Sequence, residues 1–180
     1  GKILLANFAD RVPIWITFNE PLLFSFNFQG VDNVVHAHAQ VYRFYHEELK
    51  ATGKMSLKLN DNFGVPRKPN STDDVQAANR FNEMQLAFAN PIFLGKQYPD
   101  SILETLPGAR PLNKTELKYI SHTADFFAVD AYTATVISPA DEGLSACAAN
   151  TSSSNSLFPY CVNQETKNIY GWDIGYGSGG

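Results

Sequence analysis

The stretch Thr17-Phe18-Asn19-Glu20-Pro21 places a carboxamide and a carboxyl group at the end of a run of bulky apolar residues that begins at Trp15. A carboxyl group can donate or accept a proton, and an amide beside it can hold a ligand's hydroxyl groups. In a parallel α/β protein the carboxyl ends of strands are where ligands bind, because loops gather there above a rigid scaffold. The competing reading is that Asn19 and Glu20 simply open the next loop as solvated or capping residues, since Asn-Glu-Pro alone is a weak motif. His36 and His38 tempt a metal reading, but two residues apart on a helix they lie on different faces, so core packing or surface exposure is expected instead. Cys147 and Cys161 share one Ser/Asn/Ala-rich stretch with no histidines at zinc-like spacing, which favours a local disulfide over a metal site. Asn70, Asn113 and Asn150 each open an Asn-x-Ser/Thr sequon in a stretch that reads as surface loop. Three sequons beside a disulfide point to a secreted, extracellular glycoprotein.

The elements that must position these residues follow from periodicity. Residues 2–9 read as a helix end and Trp15–Phe18 as a short strand that Pro21 stops, because proline cannot donate to a ladder. After the aromatic loop LLFSFNFQG, residues 33–51 set Val34, Val35, His38, Val41, Tyr42, Tyr45 and Leu49 at helical spacing, with Gly53 as the stop. MSLKLN at 55–60 alternates in period two, and the following FGVPRKPN reads as its loop. Ser71 and Asp74 make a capping-box-like start to a helix that aligns Ala77, Phe81, Met84 and Phe88. A further helix is expected around Thr115–Ser121, and FFAVDAYTA reads as a strand buried on both faces. Residues 140–180 read as loop throughout. Strands alternating with helices predict parallel strands with crossover helices, hence an α/β architecture, although periodicity cannot separate an open sheet from a closed barrel.

The 180 residues are 44% hydrophobic and 18% charged, enough apolar side chain for a core, and this excludes a disordered chain. A net charge of −4 with scattered Lys and Arg gives no basic field for nucleic acid. No apolar run of the ~18 residues needed to cross a bilayer is present, so no membrane partner is expected. The chain opens on Gly1 and stops on GYGSGG, and both ends read as cut.

The string DRVPIWITFNEP, residues 10–21, closely resembles the fourth strand of glycoside hydrolase family 1, the β-glucosidases and their relatives. Further segments match in order: VVHAHAQVYRFY resembles that family's next helix, and TDDVQAANRFNEMQLAFANPIFLGKQYPDSI its helix and FLDP…GDYP region. SHTADFFAVDAYTA resembles its SADFLGLNYYT strand, and YGWDI its GW segment. The resemblance implies a partial (β/α)8 TIM barrel holding about strands 4 to 6 with their helices, so that residues 1–180 are a fragment of a single barrel domain. Residues 1–139 are then the matched barrel segment and 140–180 a loop-rich extension; a whole barrel of this kind takes ~250 residues.

The resemblance also implies the chemistry of a retaining β-glycosidase acting on β-linked glucosides or oligosaccharides, with no cofactor and no metal. In such enzymes one carboxylate attacks the anomeric carbon while a carboxylic acid ~5–5.5 Å away protonates the leaving oxygen and then activates water. Glu20 matches that acid/base. Asn19 matches an asparagine that hydrogen-bonds the sugar's 2-hydroxyl, and Tyr132 a tyrosine that can hydrogen-bond the nucleophile. Because a strict pleat sends neighbouring residues to opposite faces, Asn19 and Glu20 reach one pocket only if the strand ends or bulges there. Asp130 departs from the family string, which has Asn. The family's nucleophile lies in a Glu-Asn-Gly tripeptide that this sequence lacks, and the chain alone is therefore expected to be inactive. The alternative is a catalytically silent barrel fragment that binds sugar or a protein partner.

Overall fold

The computed structural model describes residues 1–25 and 27–174. Helices α1 (Lys2–Phe8), α2 (Phe28–Arg43), α3 (Thr72–Gln85), α4 (Asp100–Thr105), α5 (Lys114–Ile120) and α6 (Leu144–Ala149) accompany strands β1 (Ile14–Asn19), β2 (Lys54–Pro66), β3 (Ala128–Pro139) and β4 (Val162–Glu165). The strands neighbour one another in the order β1-β2-β3-β4; β1 pairs parallel with β2, and β3 antiparallel with β4. The chain divides into two compact units. The first holds residues 1–60, 87–98 and 110–130, and the second 61–86, 99–109 and 131–180, of which the last six fall outside the described residues.

In the first unit, the alternation of β2 sends Met55, Leu57 and Leu59 to one face, where all three are fully buried. Met55 meets Leu5 of α1 and Tyr45, with Trp15, Val41 and Leu49 packed around them. The carboxylate of Asp125 anchors the start of β2 by accepting from the Met55 N–H at 2.6 Å, from the Tyr42 hydroxyl at 2.8 Å and from His46 Nε2 at 2.9 Å. Helix α5 opens on a capping box in which Asn113 and Glu116 exchange bonds with each other's backbone N–H. In the second unit, Ala77, Ala78 and Phe81 of α3 pack on Ile137 and Val162, with Tyr160 alongside. Ser71 caps α3 by accepting from the Asp74 N–H.

Four expectations are corrected. Helix α2 begins at Phe28 rather than 33, because Asn27 is a good N-cap, its side chain accepting from the Gly30 N–H at 2.8 Å. Strand β2 runs on through Gly64 to Pro66. The glycine is a place of close approach and the proline sits at the strand's last residue, where a missing donor is tolerated. The first half of β3 is not buried on both faces: Val129 is 39% and Tyr132 68% exposed, and only Val136 and Ile137 are buried. An apolar run shows what could be covered, and not what covers it. Finally, the stretch read as loop contains α6 and β4; a six-residue helix and a four-residue polar strand carry too little periodicity to be seen, and β4 forms on the backbone ladder of β3.

Gly64 makes the packing of the second unit directly testable. Its N–H donates to Asn82 Oδ1 at 2.7 Å, and Asn82 Nδ2 donates back to its carbonyl at 3.0 Å. A Cβ here would lie 2.6 Å from a Phe81 ring carbon and 3.0 Å from an Ile137 side-chain carbon. Gly64→Ala is therefore expected to destabilise the chain by about 1–3 kcal/mol through overpacking, read as a lower urea midpoint at unchanged slope.

Candidate active site

Glu20 sits one residue beyond β1 with a left-handed backbone, φ 46° and ψ 54°, uncommon for a residue with a Cβ. Two constraints hold it. Its N–H donates to the Lys58 carbonyl at 2.7 Å, and its own carbonyl accepts from the Leu23 N–H at 3.1 Å as Pro21–Phe24 wind into a 3₁₀ turn. Proline at the first position of that turn fixes φ where no donor is needed.

The strand reaches this point irregularly. Ile16 pairs with Ser56 and Asn19 with Lys58, so that Thr17 and Phe18 of β1 stand opposite Leu57 alone. That is a β-bulge, which bends a strand and re-aims the residues after it. The irregularity required for Asn19 and Glu20 to leave a strict pleat is thus present, together with the strand end. Asn19 is exposed and Glu20 half-buried.

A buried imidazole pins the bulge. His38 of α2 is fully buried, with Nδ1 2.6 Å from Thr17 Oγ1 and Nε2 2.6 Å from the Thr123 carbonyl oxygen. A carbonyl only accepts, so Nε2 carries the proton and Nδ1 accepts from the Thr17 hydroxyl. Burial is the dominant influence and lowers the His38 pKa to about 4, outweighing the Thr123 bond that raises it. His36 is separate: its Nδ1 lies 2.8 Å from the Asp32 carbonyl oxygen, in the same helix. The two histidines share no ligand, and no group of three or more metal-binding side chains occurs among the described residues.

On β2, Lys58 Nζ lies 2.6 Å from Asp130 Oδ2, the two side chains being 32% and 19% exposed. Lys58 shares a face of β2 with Ser56 and Asn60, opposite Met55, Leu57 and Leu59. The carboxylate of Asp130 has its counter-charge on the neighbouring strand. Sequence reasoning missed both Lys58 and Thr17. Lys58 was legible as the cation in the alternating MSLKLN run, whereas nothing local marks Thr17 as the acceptor's partner of a histidine 21 residues on. Tyr132 lies on β3 in the second unit and is largely exposed. In the same unit Cys147 and Cys161 are joined by a disulfide, with Cα atoms 5.6 Å apart.

The sequence profile described as "Glycosyl hydrolase family 1" matches residues 24–174. The match begins after Glu20, so the part assigned to Glu20 rests on its own segment. Myrosinase 1 of the aphid Brevicoryne brassicae is 30% identical over 167 residues, covering 76% of this chain and 36% of that protein. The human protein named cytosolic β-glucosidase is 32% identical over 169 residues, again with 76% and 36% coverage. The chain thus spans about a third of the length of these relatives. Among solved structures, a rice β-glucosidase superposes with a TM-score of 0.78 at 23% identity, over 96% of this chain and 41% of that one. That likeness carries the fold: α/β, a partial (β/α)8 barrel of about strands 4 to 6.

Two predictions follow from the geometry. The folded pKa of His38 lies below its unfolded value, so the unfolded chain binds the extra proton between pH ~6.5 and ~4. The stabilisation is complete above pH ~6.5 and is lost as pH falls through ~4, by about 3 kcal/mol. Urea unfolding at pH 7, 5 and 4 should show this decline in the native sequence and not in His38→Ala. For the ion pair, Asp130→Asn and Lys58→Met are each expected to cost about 1–2 kcal/mol by removing one partner of a half-buried pair. The double variant should cost less than their sum, which a double-mutant cycle measures.

Proposed function

Since the chain belongs to glycosyl hydrolase family 1, we propose that it is the acid/base-bearing portion of a retaining β-glycosidase that hydrolyses the O-glycosidic bonds of β-glucosides. The observation that carries this reading is the placement of Glu20 immediately after a bulged, histidine-pinned strand end, within the segment DRVPIWITFNEP. A relative named as a β-glucosidase supports the class of substrate.

In this reading Glu20 protonates the glycosidic oxygen as the bond to the anomeric carbon breaks, then removes a proton from the water that releases the sugar. Asn19 donates to the 2-hydroxyl, an interaction that strengthens as positive charge develops at the ring. Tyr132 orients the nucleophile. That nucleophile is a carboxylate outside this sequence, which contains no Glu-Asn-Gly, and the 180 residues are read as part of one barrel domain that supplies it elsewhere.

The test is hydrolysis of an aryl β-glucoside with a poor leaving group by the longer protein that carries this chain, and by its Glu20→Gln variant. Losing the acid/base is expected to lower kcat/KM by about 10²–10⁴-fold, and the 180-residue chain alone is expected to give no turnover. Unchanged activity in Glu20→Gln would reject the assignment of the acid/base; turnover by the chain alone would reject the external nucleophile.

A further inference from the structure

Several asparagines of this chain brace the fold through their side-chain nitrogen, while Asn27, Asn33 and Asn168 are bonded through Oδ1 without opening a sequon. Asn82 Nδ2 donates to the Gly64 carbonyl, Asn155 Nδ2 to the Cys147 and Asn150 carbonyls, Asn163 Nδ2 to the Pro139 carbonyl and Asn7 Nδ2 to the Ile3 carbonyl. None of these four opens a sequon. The three that do, Asn70, Asn113 and Asn150, are all exposed, and Nδ2 of each makes no hydrogen bond among the described residues.

At two of the three, the fold uses the oxygen of the amide and leaves the nitrogen outward. Asn113 Oδ1 accepts from the Thr115 N–H at 2.9 Å and from the Glu116 N–H at 3.0 Å, capping α5. Asn150 Oδ1 accepts from the Ser152 N–H at 3.2 Å and from its hydroxyl at 2.6 Å, and Ser152 is the hydroxyl residue of that sequon. A substituent on Nδ2 leaves the amide oxygen in place and every one of these bonds intact.

The second observation is redox. The only two cysteines of the chain are joined to each other, Cys161 immediately precedes β4, and both are buried. Structural disulfides form in oxidising compartments and are rare in the cytosol. Family membership leaves the compartment open, since one relative is named as cytosolic.

We infer that Asn70, Asn113 and Asn150 are N-glycosylation acceptors and that the chain matures in an oxidising secretory compartment. In the transfer, Nδ2 forms a bond to the anomeric carbon of an oligosaccharide carried on a lipid pyrophosphate. One amide proton is lost, the lipid pyrophosphate leaves, and the Asn becomes a secondary amide that keeps its Oδ1 bonds. The inference is independent of the glycosidase reading, for neither sequons nor disulfide touch Glu20.

The experiment is to express the longer protein that carries this chain in a eukaryotic host, without an added secretion signal, and treat the product with a peptide-N-glycanase. Within these 180 residues three glycanase-sensitive steps in mass are expected, with Asn converted to Asp at 70, 113 and 150. Thr72→Ala, Thr115→Ala and Ser152→Ala should each remove one step. Because Thr115→Ala removes the sequon while keeping Asn113 and its cap, loss of a step there is not a failure of folding. Asn113→Asp, which keeps an accepting oxygen, should likewise lose the glycan. A product with no glycan at any one of Asn70, Asn113 and Asn150, or one with free thiols at Cys147 and Cys161, overturns the inference.

Discussion

The hydrogen bonds of one neutral, buried imidazole tie together distant pieces of the first unit. His38 joins three pieces of chain that are far apart in sequence: β1 through the Thr17 hydroxyl, α2 on which it sits, and the segment before β3 through the Thr123 carbonyl. An imidazole suits the position because its two nitrogens point in different directions and can take opposite roles, one donating and one accepting. Its partners also determine its charge. With a carbonyl fixing the proton on Nε2 and the surroundings apolar, a second proton would have to displace the threonine's own, and burial opposes it. The bulge therefore rests on a group that burial keeps uncharged.

Beyond the bulge, the left-handed backbone of Glu20 is a strained conformation for a residue with a Cβ, costing on the order of 1–2 kcal/mol. Such strain survives only where surrounding bonds over-determine it. Here the Lys58 carbonyl holds the Glu20 N–H from one side, and the turn beginning at Pro21 fixes the exit. A glycine would take that backbone without penalty, so the presence of a carboxyl side chain there is a reason to look for work at the carboxyl group. Lys58 thereby contributes twice, through its backbone to Glu20 and through its ammonium to Asp130.

What the sequence made legible follows a physical division. Signals that are local survived: the strand stopped by Pro21, the Ser71 cap of α3, the helix near 115–121 and the pairing of two cysteines that lie in one short stretch. Signals that depend on what a segment meets did not. The exposure of β3 at Val129 and Tyr132 depends on covering elements, and β4 exists because a neighbouring edge offers it a ladder, not because VNQE favours a strand. At the candidate site the same rule applies. Asn19 and Glu20 stood out as polar residues ending an apolar run, and their need for a bulge followed from pleat geometry alone. The means of making the bulge, a threonine and a histidine 21 residues apart, could not be read without knowing that α2 lies over β1.

Position 130 illustrates how a departure from a family's pattern should be weighed. Taken alone, a carboxylate in place of an amide adds a charge to a strand of mostly apolar residues, and an isolated half-buried charge is unfavourable enough to suggest a damaged site. The partner changes that conclusion. Lys58, across on β2, neutralises the charge at 2.6 Å, and the two positions behave as one unit. A half-buried ion pair adds little net stability over apolar residues of similar size, because desolvation offsets most of the attraction. Stability therefore gives no strong reason for its presence, while its location gives one: the pair's lysine lies in register with Asn19 and accepts from Glu20 through its own carbonyl. The pair joins β2 to β3 through the Lys58 ammonium, while the carbonyl of the same lysine holds the Glu20 N–H at the end of β1, so one residue links three neighbouring strands.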